Sequence, residues 1–302
     1  MFIHLAGADL DVWWPGVILL GVFIGSLTGL FGVGGGFLLT PALKVCFGIP
    51  YPIAIGSSLA QFFVTGSFSA WRHWRDRNVD PLLGAMMAGG ALAGTEIGVR
   101  LLKVMGDWSS IMLNHKAWPV RDLLINSIFL ILMSLVAVFI WRETSQSGAD
   151  EEAASSMAQH IQSVKIPPLI TFPCSQILSL SPWIPILLSL MVGILTGMLG
   201  IGGGFINFPL LIYGLGVPTA VAAGTSAFQI IFSTGYGAFR HFFQGHIELT
   251  LVFLLVVGSV LGVQLGVRAS KLLGGRKIRR CFCAVILLGI AVILFDLFSG
   301  LA

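Results

Sequence analysis

Long apolar runs separated by short polar punctuation set the organisation of this chain. A membrane-crossing helix needs about 20 apolar residues. Runs of that kind cover residues 16–47, 52–71, 81–101, 122–141, 183–213, 219–239, 249–269 and 281–298. The first and fifth are longer than one crossing requires, and each is interrupted by glycine. Residues 100–121 are mixed in character and suit a membrane interface. Residues 142–181 hold ETSQSGADEEAASS and then KIPPLITFP, polar over a linker-like length. The pattern predicts an all-α polytopic membrane protein of about eight hydrophobic segments. Its units are a first membrane repeat over 1–141, a polar linker over 142–181 and a second membrane repeat over 182–302.

The two halves repeat. A shift of 168 residues aligns them without a gap from Gly25 to at least Gly106, with roughly a third of positions identical. Gly32, Gly34, Gly35, Gly36 and Phe37 fall on Gly200, Gly202, Gly203, Gly204 and Phe205. Pro41, Gln61, Arg72 and His73 fall on Pro209, Gln229, Arg240 and His241. Two unrelated greasy segments would match leucines, not prolines, glutamines and an Arg-His pair. Internal repeats with interruptions at matching places point to a transporter whose site lies at the repeat interface.

The interruptions read TGLFGVGGGFLLTP at 28–41 and TGMLGIGGGFINFP at 196–209. Each glycine costs a helix roughly 1 kcal/mol relative to alanine. The first helix of each repeat is therefore expected to break near Gly34, Gly35 and Gly36, and near Gly202, Gly203 and Gly204. Irregular backbone at membrane depth survives only where protein or a watery cavity covers it. A half-helix restarting near Phe37 or Phe205 would aim bare N–H groups at that cavity, an arrangement that suits an anion. The spaced rows Gly21, Gly25, Gly29, then Gly90, Gly94, Gly98 and Gly258, Gly262, Gly266 read instead as small-residue helix packing.

Beside each break the next helix carries a polar stripe. Ser57, Gln61, Thr65 and Arg72 form one, and Thr225, Gln229, Ser233, Tyr236 and Arg240 the other, at steps of four and seven. Ser58, Ser226 and Asn207 lie close by in sequence. Hydroxyls and amides donate to an oxyanion without adding net charge, and arginine can clamp it in two-point fashion. The hydroxyls also fit interhelical bonding, and the Arg-His pairs fit an interfacial helix end. The predicted substrate-binding set is thus Gly34, Gly35, Gly36, Ser57, Ser58, Gln61, Arg72, Gly202, Gly203, Gly204, Asn207, Thr225, Ser226, Gln229 and Arg240. Glu96 sits inside an apolar helix where the second half has Gln264. An acid in lipid is costly and marks function, so Glu96, with His73 and His241, is a proton-coupling candidate. A salt bridge to Arg100, four residues on, is the competing reading. Asp296 and Asn126 also lie in apolar runs but lack matched partners.

Composition narrows the class. The chain of 302 residues is 56% hydrophobic and 10% charged, against about 25% charged for soluble domains. A net charge of +4 with short basic clusters suits a membrane orientation signal, not a nucleic-acid surface. Cys46, Cys174, Cys281 and Cys283 lack zinc-type spacing, and no cofactor motif or metal set stands out. With no nucleophile–base pair and no H-E-x-x-H, an enzyme is not expected. The start shows neither a basic n-region nor a small-residue cleavage site, so no cleavable signal is expected.

The duplicated G-x-G-G-G-F…P…G-[IV]-P…G-[ST]-S…Q…R-H pattern resembles the TauE/SafE family of sulfite exporters and sulfonate permeases. The resemblance covers the chain apart from its leader and linker. It implies a secondary transporter of the bacterial inner membrane that moves a small inorganic or organic sulfur anion, with protons as coupling ion. Two topologies remain. If residues 16–47 and 183–213 each cross once, the repeats are parallel; if each is a re-entrant hairpin, they are inverted. Either places 11 of the 17 basic residues inside and both termini outside. About 32 residues is long for one crossing at 1.5 Å per residue, which favours the hairpins.

Overall fold

A computed structural model describes residues 2–5, 7–31, 36–106, 110–113, 116–145, 158–273 and 275–301. It is mostly helical. The helices are α1 (Trp14–Phe31), α2 (Gly36–Phe47), α3 (Tyr51–Arg75), α4 (Pro81–Gly106) and α5 (Val120–Ser145), followed by α6 (Trp183–Leu199) and α7 (Gly204–Pro209). After a π-helical turn at Leu210–Gly214 come α8 (Thr219–Phe242), α9 (Leu249–Leu272) and α10 (Gly275–Leu301). Among the described residues four helices are long and apolar enough to cross a membrane: Trp14–Phe31, Tyr51–Arg75, Pro81–Met105 and Leu249–Leu272. Five shorter apolar helices accompany them, among them Phe37–Phe47 and Trp183–Leu199. The chain is a multi-pass membrane protein.

Glycine rows decide which helices pair. Gly21, Gly25 and Gly29 of α1 lie against Leu255, Ser259 and Val263 of α9, so the two helices run parallel. Gly90, Gly94 and Gly98 of α4 meet Ile186, Leu190 and Ile194 of α6 in the same sense. A Cβ added at Gly94 would sit 2.1 Å from the Leu190 carbonyl oxygen, and one at Gly262 2.1 Å from that of Val22. Only glycine allows such an approach. Inside lipid, where burial of apolar surface drives little, close packing of this kind holds helices together.

The same contacts give the chain its directions. Gly56, at the start of α3, packs on the backbone of His246, just before α9. Since α1 and α9 start together, α1 and α2 enter and leave at one end of the bundle. Gly224, at the start of α8, packs on Asn78, just before α4. Since α4 and α6 start together, residues 183–214 enter and leave at the opposite end, and α3 connects the two. The inner tips of both excursions meet in an aromatic cluster. The rings of Phe37 and Phe205, which are 168 residues apart, lie 5.0 Å centre to centre, and Phe282 packs on Phe31 and Phe208 at 5.0 and 5.4 Å.

Among the described residues three β-hairpins were not foreseen by the helical pattern. Phe2–Leu5 pairs with Leu10–Trp13, Ser110–Leu113 with Lys116–Pro119, and Ile170–Phe172 with Ile177–Leu180, all antiparallel. The third lies in the stretch read as linker. Its buried Phe172 and Leu180 face the core, and Asp80 grips its turn: one carboxylate oxygen accepts from the Ser175 amide (3.1 Å) and hydroxyl (2.7 Å). At the other end Glu248 accepts from the Gly7 amide in the turn of the first hairpin (2.7 Å). Gly7 and Ser175 are 168 residues apart, and so are Asp80 and Glu248.

Candidate functional site

The second glycine run has a defined shape. Helix α6 stops at Leu199, and Gly200, Gly202 and Gly203 follow with φ of 71°, 69° and 78°. These left-handed values strain any residue with a side chain, so residue type fixes where the helix stops. Helix α7 restarts at Gly204 with Gly203 as its cap. In the first half α1 ends at Phe31 and α2 begins at Gly36; Gly34 and Gly35 lie outside the described residues.

Ending a helix frees its last carbonyls, and the predicted histidines take them up. His241 Nε2 donates to the Gly197 carbonyl at 3.3 Å, and His73 Nε2 to that of Gly29 at 3.4 Å. A carbonyl can only accept, which places the proton on Nε2 in both rings. The polar face of His241 then continues to His246, Nδ1 to Nδ1 at 3.2 Å.

The predicted stripes divide by position. Ser57 and Thr225, at the helix starts, are held by loops of the opposite half: Ser57 Oγ accepts from the Glu248 amide (3.1 Å) and Thr225 Oγ1 from that of Asp80 (2.9 Å). Ser58 Oγ accepts from the Thr40 hydroxyl at 3.3 Å. Ser226 is buried. The hydroxyls of Ser57 and Thr225 tie the halves together.

One turn further on, the amides are fully buried and incompletely bonded. Asn207, on α7 directly after the glycines, donates its Nδ2 to Gln229 Oε1 at 2.6 Å. Asn207 Oδ1 and Gln229 Nε2 have no partner. Exchanging both amide orientations leaves the same inventory, so this pair keeps one unbonded amide NH2 group either way. Gln61 donates to Thr65 Oγ1 (3.3 Å) while its Oε1 stays unpaired. A buried polar atom left so costs about 1–3 kcal/mol. Gly202 lies between α3 and α8, against Phe62 and Thr234. Asn207 and Gln229 thus lie buried beside the glycine break.

The arginines do not join it. Arg72 and Arg240 follow Gln61 and Gln229 by 11 residues, about 16 Å along a helix, and they sit at opposite ends of the bundle. Arg240 pairs with Glu96 (Nε to Oε2, 2.8 Å), which also accepts from Arg100 Nε (2.6 Å) and the Tyr236 hydroxyl (2.9 Å). Both readings of Glu96 meet here: the Arg100 salt bridge exists, and the acid is shared across two helices. Arg72 stacks over Phe68 and Trp71 at 5.5 and 5.6 Å and leaves its buried Nε unbonded. Asn126, left unassigned by the sequence, accepts from the buried Tyr51 hydroxyl.

Comparison with known proteins reaches nearly the whole chain. Residues 17–293 match the family model described as Sulfite exporter TauE/SafE. A probable membrane transporter protein, YunE of Bacillus subtilis, is 26% identical over 94% of this chain and 98% of its own length. The probable membrane transporter protein MJ0441 of Methanocaldococcus jannaschii is 22% identical over 88% of this chain and 89% of its own. Sulfite exporter TauE/SafE family protein 1 of Arabidopsis thaliana is 35% identical across a shorter stretch, 25% of this chain and 18% of that protein. No solved structure gives a significant match.

Proposed function

The chain belongs to the Sulfite exporter TauE/SafE family of membrane transporters, and from that premise we propose that it carries a small sulfur-containing anion, sulfite or an organosulfonate, across the bacterial inner membrane. The observation that carries the site is the buried Asn207–Gln229 pair with its unused amide N–H, set beside the helix break at Gly200–Gly203. A dehydrated anion needs such donors, and Gln61 with Gly202 completes the surroundings. Neutral donors bind the anion without adding a charge that would hold it too long. Protons are the proposed coupling ion, with Glu96, His73 and His241 as the titratable groups at hand.

The chain directions support reading the halves as inverted repeats, each opening with a re-entrant hairpin. That layout places Arg72, Arg75, Arg77, Lys165 and the cluster at 268–280 at one end, which the positive-inside rule assigns to the cytoplasm. The matched hairpins at 2–13 and 170–180 extend both repeats outward, so the second starts near residue 170. The linker between them is then shorter than 142–181.

Uptake into proteoliposomes tests the function, with sulfite, sulfate, sulfoacetate and taurine compared with and without a pH gradient. Saturable uptake of one sulfur anion, enhanced by the gradient and weakened about tenfold in affinity by Gln229→Ala, is expected. Absence of flux for all four would overturn the cargo assignment.

A further inference from the structure

The two ends of the bundle carry the same frame with one acid exchanged. At one end Glu96, Arg100, Tyr236 and Arg240 close on each other. Their counterparts 168 residues away are Gln264, Arg268, Phe68 and Arg72. There the carboxylate has become an amide and the phenol has lost its hydroxyl. In place of the closed cluster is a cavity of about 340 Å³ lined by Arg72, Arg75, Asp76, Gln264, Arg268 and Lys271. Lys271 is engaged by Asp76 at 2.9 Å. Among the described residues no carboxylate pairs with Arg72, Arg75 or Arg268, and Arg72 Nε is buried without a partner.

We propose that this cavity is a second anion site, at the mouth rather than the centre, and that it takes an oxyanion bearing at least two acceptor oxygens. The protein supplies its own template. Where Glu96 is present, its two oxygens are held by the guanidiniums of Arg100 and Arg240, the counterparts of Arg268 and Arg72. Guanidiniums left facing an open cavity favour a planar or tetrahedral oxyanion held at two points. Gln264 can donate its amide to the same ligand, which Glu96 cannot. The volume is on the order of ten waters, enough for a sulfite or sulfonate group or the phosphate of an anionic lipid. The site rests on the family reading only for the identity of a soluble ligand; the cavity chemistry stands without it.

The test measures binding to the purified full-length protein, independently of flux. Inorganic sulfite and sulfate are titrated in zwitterionic nanodiscs by calorimetry, and bound phosphatidylglycerol is counted by native mass spectrometry. Gln264→Glu restores the tethered carboxylate and should weaken binding of the ligand about tenfold or more, while Gln264→Ala keeps it within about threefold. Sulfite or sulfate binding lost in Gln264→Glu identifies a soluble oxyanion; phosphatidylglycerol binding lost in it identifies a lipid headgroup. Binding of neither probe by the wild type, or equal binding by Gln264→Glu, would overturn the proposal. Loss of binding in Gln229→Ala would overturn it too, by locating the ligand at the central amides. Failed transport with intact Gln264-dependent binding would strike the function alone.

Discussion

One end of this molecule is locked by its own carboxylate, and the other presents the same arginines to an open cavity. The frames are alike: parallel helix pairs, a hairpin turn held by an acid, a histidine on a freed carbonyl. What differs is a handful of side chains, Glu96 and Tyr236 against Gln264 and Phe68. Packing held by backbone contacts can thus stay alike at both ends while single side-chain differences set them apart. The comparison also separates residues that build the frame from those that give each mouth its chemistry.

The largest effect should come from the frame. Gly94→Val and Gly262→Val each force side-chain atoms into a carbonyl 2.1 Å from the new Cβ, on opposite helix pairs. Each is expected to lose about 3 kcal/mol or more, seen as loss of monodisperse protein on size exclusion. Gly89→Ala, which meets nothing within 4 Å, should leave the elution profile unchanged. A normal profile for Gly94→Val would show that the helices do not approach so closely.

The hairpin acids sharpen the comparison at a smaller scale. Asp80 accepts from the Leu83 amide as well as from Ser175, whereas Glu248 is seen to hold Gly7. At roughly 1.5 kcal/mol or more per bond to a charged acceptor, Asp80→Ala should lower the melting temperature clearly more than Glu248→Ala. Equal shifts would mean that the extra bonds of Asp80 contribute nothing.

Glu96→Gln would make the locked end resemble the open one. It releases Arg100 and Arg240, and the proton-coupling proposal expects uptake that no longer responds to an imposed pH gradient while the protein still folds. An unchanged response would remove Glu96 from the coupling.

The finest test concerns orientation. Cys46 and Cys174 are both exposed and lie near opposite ends. With the other cysteines replaced, an impermeant thiol reagent added outside intact cells should label Cys46 and spare Cys174. The reverse pattern would invert the assigned topology.

Much of the frame was legible in the order of residues. The glycine rows, the duplication and the apolar runs all express local or periodic constraints, and the left-handed glycines at 200–203 mark the stop of a helix by residue type alone. The candidate site was less legible. Ser57 and Thr225 read as ligand donors yet hold loop amides of the opposite half. Arg72 and Arg240 shared a stripe with the glutamines, but distance along a helix separates them from the buried centre by three turns. The hairpin at 170–180 was hidden by the polar stretch before it and by its shortness. The pairing that makes Asp80 its anchor spans 95 residues.

By itself, the sequence determined that this chain lives in a membrane, that its halves share residues at a spacing of 168, and that glycine runs interrupt its apolar segments. Those properties follow from apolar length, from glycine's missing side chain and from identity at a fixed spacing. Tertiary structure decided which end each excursion returns to, which buried amides are left with unused hydrogen bonds, and that Glu96 closes a cluster its counterpart leaves open. Each of those depends on contacts between segments far apart in the chain. No local propensity records such contacts, because the partner of a helix face is chosen by packing rather than by its neighbours in sequence.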